Sequence, residues 1–123
     1  MRILHLNTHE ISGGAAIAAR RLHLGLSAEG VDSCLAVGVK ESDTPNAILA
    51  DSVFSKVARL LCDRLERKTA SFLYTRPKHP AHCTFSLLPS FRHRRVNKIA
   101  RDILHLHWVT DGFLAPFSLG RLQ

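Results

Sequence analysis

The chain has 123 residues, 46% of them hydrophobic, and a formal net charge of +7 from 17 Lys and Arg against 10 Asp and Glu. That length suits one ordinary domain and that apolar content can bury a core, which excludes a disordered chain. Cys34, Cys62 and Cys83 stand far apart without paired spacing, and no apolar run approaches the ~20 residues of a membrane span. A disulfide framework, a zinc knuckle and a spanning protein are thus excluded, and a reducing, cytoplasmic setting is expected.

The near-continuous apolar run from Ile3 to Asn7 predicts a first strand covered on both faces. Only Met1 and Arg2 precede it, so the chain is expected to lack the charged leader and long apolar stretch of a secretion signal. Ser12-Gly13-Gly14 turns the chain into a helix predicted from Ala15 to Glu29, with Ala15, Ala16, Ala18 and Ala19 followed by Leu22, Leu24 and Leu26. Gly30 is placed as its C-terminal stop. Cys34 to Val39 predicts a second strand, and Glu41 to Asn46, with Pro45, a polar loop. The βαβ unit so formed calls for a right-handed crossover.

Ser52 can cap a helix running to about Tyr74, with Val53, Val57, Leu60, Leu61, Leu65 and Phe72 at helical spacing and Lys56, Arg59, Asp63 and Arg67 on the other side. Arg64 and Lys68 fall inside its apolar arc. A proline-containing loop over Arg76 to Pro80 leads to a short third strand, Cys83 to Leu87, and a basic helix or irregular connection over Ser90 to Ala100. Ile103 to Trp108 is the fourth strand, and a last helix begins at Phe117 after Pro116. No internal repeat is identified. This order places the chain in the α/β class, as a partial Rossmann-like doubly wound parallel sheet in one domain, residues 1–123. The usual strand order sets the first strand between the second and fourth. The loops after Asn7 and His107 then flank the topological switch point, where such sheets bind ligands.

Charge is uneven. Residues 52–101 hold twelve basic residues against two acidic, a net +10, and the rest of the chain five against eight, a net −3. Lys56, Arg59, Arg67, Arg92, Arg94 and Arg95 are the expected anion-facing or membrane-facing surface. The basic run lacks interleaved aromatics, so nucleic acid is the less favoured partner. His79-Pro80-Ala81-His82-Cys83 resembles a metal site superficially, yet it has no second ligand pair and reads as a polar loop.

Amides at a glycine turn entering a helix point outward unpaired, and the helix dipole adds partial positive charge. Gly13 and Gly14 are therefore candidates to cradle a phosphate or diphosphate. The three-glycine dinucleotide fingerprint and the Lys-Ser/Thr ending of a P-loop are both absent. His105 and His107 share one strand face. His105, deeper in the strand, is expected to be a satisfied core histidine, and His107, at the carboxyl end, can donate to a sugar hydroxyl or phosphate oxygen. Asp111-Gly112 marks the following turn.

The segments Ile3-Leu-His-Leu-Asn-Thr8, Ser12-Gly-Gly-Ala-Ala16 with Ala19 and Arg21-Leu22, Gly30-Val-Asp-Ser33, and Ile103-Leu-His-Leu-His-Trp108 with Gly112-Phe-Leu114 together resemble the N-terminal part of a family-4 (group 1) retaining glycosyltransferase of the GT-B type, of the exopolysaccharide or colanic-acid kind. The resemblance covers nearly the whole chain. It implies transfer of a sugar from a nucleotide-diphosphate donor to a lipid-linked or oligosaccharide acceptor in cell-surface polysaccharide biosynthesis, without a metal or other cofactor. It implies that Gly13 and Gly14 approach the donor diphosphate and that His107 contacts the transferred sugar as the catalytic residue. Acceptor or sugar contacts then fall at Thr8, Trp108, Asp111 and Gly112, on a cytoplasmic enzyme peripheral to the inner face of the membrane. Oriented amides and cationic donors can stabilise a departing diphosphate without metal.

Such enzymes need a second Rossmann-like domain carrying an acidic donor-binding motif, and no second domain is present here. The expectation is a truncated domain with little or no activity alone. A non-catalytic basic α/β module that binds anionic lipid or nucleic acid is the alternative, and a fragment of a Rossmann oxidoreductase ranks below both.

Overall fold

The computed structural model describes residues 1–50, 92–110 and 113–123, together with Arg64 and Lys68. The first strand, β1, runs Arg2–His9, and Ile3 to Thr8 are buried without a break. Strand neighbours on both sides explain this, because β1 pairs in parallel with β2, Asp32–Val39, on one edge and with β4, Ile103–Leu106, on the other. A three-residue strand β3, Ala47–Leu49, pairs in parallel with β2, giving the order β3-β2-β1-β4. This is the strand placement that a switch point between β1 and β4 requires.

Helix α1, Gly14–Ala28, lies between β1 and β2 in sequence. Its alanines let it sit close to the sheet, and Ala19 packs with Leu35, Val37 and Ala47. Its end at Ala28 is followed by Gly30, whose φ of 77° favours a residue without Cβ. The Gly30 amide donates to Ser27 O and the Val31 amide to Leu26 O, the paired bonds of a Schellman stop.

Alternation along the strands sends Leu4, Leu6 and Ala36 to the opposite face. There they join Ala50, Val96, Phe113 and Leu114 in a second apolar cluster. Val96 comes from α2, Arg92–Val96, Ala50 directly follows β3, and Phe113 and Leu114 come from the chain after β4, just before α3, Pro116–Leu119. The result is an α/β parallel sheet with apolar cover on both faces.

Several boundaries move. Strands β1 and β2 begin earlier than the apolar runs predict, because Arg2 and Asp32 pair across the sheet. Strand β4 stops at Leu106, although the His107 amide still donates to Leu6 O. Helix α3 starts at Pro116 itself, with proline in the first turn where its missing N–H costs nothing. Within Ser90 to Ala100 the helix is five residues long, followed by turn bonds from Lys98 to Arg95 O and from Ile99 to Val96 O.

Strand β3 is the addition that the sequence reading missed. Only residues 40–46 connect it to β2, whereas parallel neighbours ordinarily need a dozen or more connecting residues. The return is made by a tight turn in which Ala47 N donates to Thr44 O and Asn46 takes a φ of 54°. Of the predicted 52–74 helix only Arg64 and Lys68 are described, both helical and exposed. The predicted strand at 83–87 lies outside the described residues.

Candidate functional site

The carboxyl ends of β1 and β4 open on a cleft of about 390 Å³, lined by Asn7, His9, Ser12, Gly13, Gly14 and Trp108 among others. Gly13 precedes α1 with a φ of 91°, a conformation that L side chains rarely adopt. The first helical bond runs from the Ile17 amide to Gly13 O at 3.1 Å. The amides of Gly14, Ala15 and Ala16 therefore have no carbonyl of their own helix to bind. No acidic side chain occupies the first turn to compete for an anion. A Cβ built at Gly13 or Gly14 meets nothing within 4 Å, so the turn owes its glycines to backbone conformation and open approach and not to packing.

Asn7 fixes the cleft's far wall. Its Oδ1 accepts from the Trp108 amide at 2.9 Å, and its Nδ2 donates to His9 O at 2.6 Å. The side chain thus ties the loop after β4 to the end of β1. Asn7→Ala is expected to cost about 1–2 kcal/mol, since Asn7 is buried and its partners lose their hydrogen bonds. Chemical denaturation measures that loss, and a change within error would show that Trp108 is held without Asn7.

The sequence-predicted residues separate on this frame. Gly13, Gly14 and Trp108 meet in the cleft. Thr8 is buried, and its hydroxyl lies 2.8 Å from the Trp108 carbonyl and 2.9 Å from that of Thr110, its single proton bonding one or the other, so it braces the loop from behind. Asp111 and Gly112 lie outside the described residues, as do Lys56, Arg59 and Arg67. Arg94 and Arg95 are exposed. Arg92 corrects the expectation that it belongs to the anion-facing surface. It is 4% exposed, its Nη1 donates to Phe113 O at 2.7 Å, and its guanidinium lies 5.4 Å from the Phe113 ring centroid. It therefore holds the chain after β4 against α2.

The histidines also divide differently from the reading. His105 is exposed, not a core residue, because β4 forms the edge of the described sheet. The core histidine is His5, fully buried, which the register places directly beside His105. His5 Nδ1 and His107 Nε2 lie 3.1 Å apart and share one hydrogen bond, while the His105 and His107 rings stack at 4.2 Å. Desolvation first, and then the neighbouring His107, His105 and His23, hold the His5 pKa down at about 4. Burial and His105 lower His107 as well. His23, buried on α1, is fully occupied. Its Nε2 donates to Pro45 O at 2.8 Å, which leaves Nδ1 to accept from Ser33 Oγ at 2.8 Å.

Glu10, just past β1, escaped the sequence reading altogether. Its side chain is fully buried. Oε2 accepts from the Glu41 and Ser42 amides and Oε1 from Ser42 Oγ, each at 2.7 Å. Desolvation pushes its pKa up, but the hydrogen bonds from Ser42, Thr44 and Glu41 together outweigh it and hold the carboxyl at about 2. Glu10, ionised at neutral pH, thus pins the tight return between β2 and β3.

No family model matches the chain, and neither curated proteins nor solved structures provide a match. Among the described residues no helix is long and apolar enough to cross a membrane.

Proposed function

We propose that this chain is the N-terminal Rossmann-like unit of a retaining GT-B glycosyltransferase, whose cleft receives the diphosphate of a nucleotide sugar. The observation that carries this reading is the meeting of the Gly13-Gly14 turn and the amino end of α1 with Asn7 and Trp108, at the carboxyl ends of two neighbouring parallel strands. Unpaired amides at such a helix start stabilise phosphate oxygens. The aromatic face of Trp108, 51% exposed, offers a sugar or base an apolar surface. His107, half-buried beside the cleft, contacts the transferred sugar through the ring nitrogen that does not face His5. In the same reading the acceptor is lipid-linked or an oligosaccharide, the exposed Arg94 and Arg95 turn toward an anionic membrane on its cytoplasmic side, and nucleic acid is not a partner.

Titration calorimetry with UDP, ADP and the corresponding monophosphates tests it. Diphosphates are expected to bind at least about tenfold more tightly, a difference of about 1.4 kcal/mol. Gly14→Leu is expected to abolish that preference while leaving the melting temperature unchanged, because a side chain there meets open space. Equal affinity for mono- and diphosphates, or a preference indifferent to Gly14→Leu, would count against the reading. Salt-sensitive binding to anionic vesicles without any nucleotide response would favour a non-catalytic lipid-binding module instead.

A further inference from the structure

Three histidine side chains converge one step below the cleft, on the face of the sheet that carries α1. One ring nitrogen from each of His5, His105 and His107 lies within 4.8 Å of the other two. The parallel register places His5 and His105 side by side on adjacent strands, and His107 stands two residues beyond His105. Burial grades outward through the cluster, from His5 fully buried through His107 half-buried to His105 exposed. We propose that these three histidines form a site for a first-row divalent transition ion such as Zn²⁺, with a fourth coordination position open to water.

The contact between His5 and His107 sets two ring nitrogens face to face. A neutral imidazole has one donor and one acceptor nitrogen. His5 Nδ1 is matched with His107 Nε2, but His5 Nε2 is buried with no hydrogen-bond partner. Without an ion, one of these two nitrogens carries the proton and the other accepts it; with an ion between the rings, both would turn their lone pairs to it. Their separation of 3.1 Å is close to the ~3.3 Å set by two tetrahedral Zn–N bonds of ~2.0–2.1 Å. His105, being exposed, can turn its ring to complete the trio. His23 is excluded from the set because both of its nitrogens are already bonded.

Three imidazoles without a carboxylate select the ion. Zn²⁺, Ni²⁺ and Cu²⁺ accept nitrogen donors, whereas Mg²⁺ and Ca²⁺ require oxygen. Three protein ligands with an open position are the arrangement of sites that exchange water or substrate, in contrast to closed four-ligand structural sites. Asn7, two residues beyond His5, and Trp108, next to His107, line the cleft, so the histidine trio adjoins it along both strands. The inference does not rest on the nucleotide-sugar reading: the diphosphate contacts there involve other residues, and only His107, read there as the sugar contact, is common to both.

The test uses the full chain and Co²⁺ as an optical probe near neutral pH. Equimolar binding with the intense visible absorption of a four-coordinate Co²⁺ site is expected, reversed by Zn²⁺. His105→Ala, at an exposed position, is expected to weaken binding by about tenfold or more. A His79→Ala/His82→Ala variant is expected to leave it unchanged. Because His5 is buried and its replacement can unfold the chain, its part is read in the wild-type protein, from the shift of its ring ¹⁵N resonances on adding Zn²⁺. No equimolar binding, binding unaffected by His105→Ala, binding lost in the His79/His82 variant, or unmoved His5 resonances would each overturn the proposal. Nucleotide binding is measured separately in metal-free protein, so failure of one proposal does not decide the other.

Discussion

Replacing Glu10 with alanine is expected to lower the free energy of unfolding by about 3 kcal/mol, a large share of a small domain's stability. The loss comes from what Glu10 leaves behind. The amides of Glu41 and Ser42 lose the acceptor that Glu10 Oε2 supplies in a partly buried turn, and a donor left there without a partner costs up to about 1–3 kcal/mol where water cannot reach it. Ser42 Oγ retains Thr44 Oγ1 at 2.9 Å and adds less. Glu10→Gln is expected to cost less than alanine, since one oxygen still accepts.

The charge on Glu10 has a separate signature in acid. Its carboxyl titrates at about 2 in the folded chain against an ordinary value of 4.5. A group held below its unfolded pKa contributes stability that is complete above pH 4.5 and is lost as the pH falls from 4.5 toward 2. Over that window the wild-type protein is expected to lose stability faster than Glu10→Gln, by up to about 3 kcal/mol in total. Urea unfolding of both proteins at several pH values measures the difference, and parallel curves would mean that Glu10 is not held ionised.

Gly38→Ala is expected to destabilise the fold by about 1–3 kcal/mol through overpacking. A Cβ at Gly38 would lie 2.7 Å from Phe113 Cδ2 and 3.0 Å from Thr8 O. Neither neighbour can easily withdraw. Thr8 is fixed in the central strand, and Phe113 is buried, with its carbonyl held by Arg92. Reduced backbone freedom in the unfolded chain offsets only about 0.4–1 kcal/mol of the cost. Phe113→Leu vacates part of the crowded space, so the penalty of Gly38→Ala is expected to shrink in that background. Thermal or urea unfolding of the four proteins in a double-mutant cycle checks this, and strictly additive effects would show that the ring is not what requires glycine.

Much of the fold was legible because its signals are local. The apolar run after Met1, the alanines of α1, the positive-φ Gly30 and the run from Ile103 each declare an element within a few residues. Strand β3 was not legible, for it has three residues and follows a proline turn that reads as loop. The histidine cluster left a faint trace. Ile3-Leu-His-Leu6 and Ile103-Leu-His-Leu106 are the same tetrapeptide, and the two pair residue for residue in the sheet. Identical residues in parallel register must stand side by side, so this short repeat was the signal that could have brought His5 to His105.

The sequence by itself determined the α/β class, the β1-α1-β2 unit and the glycine turn at its cleft, because periodicity, turn chemistry and helix stops act between near neighbours. Only the tertiary structure decided what long-range register controls. It joined His5 to His107 across 102 positions, turned Arg92 inward onto Phe113, and set Glu10 under a loop more than thirty residues away. Burial changes the chemistry of each of these groups, and burial is settled by which strands lie beside one another, a property that no local pattern carries.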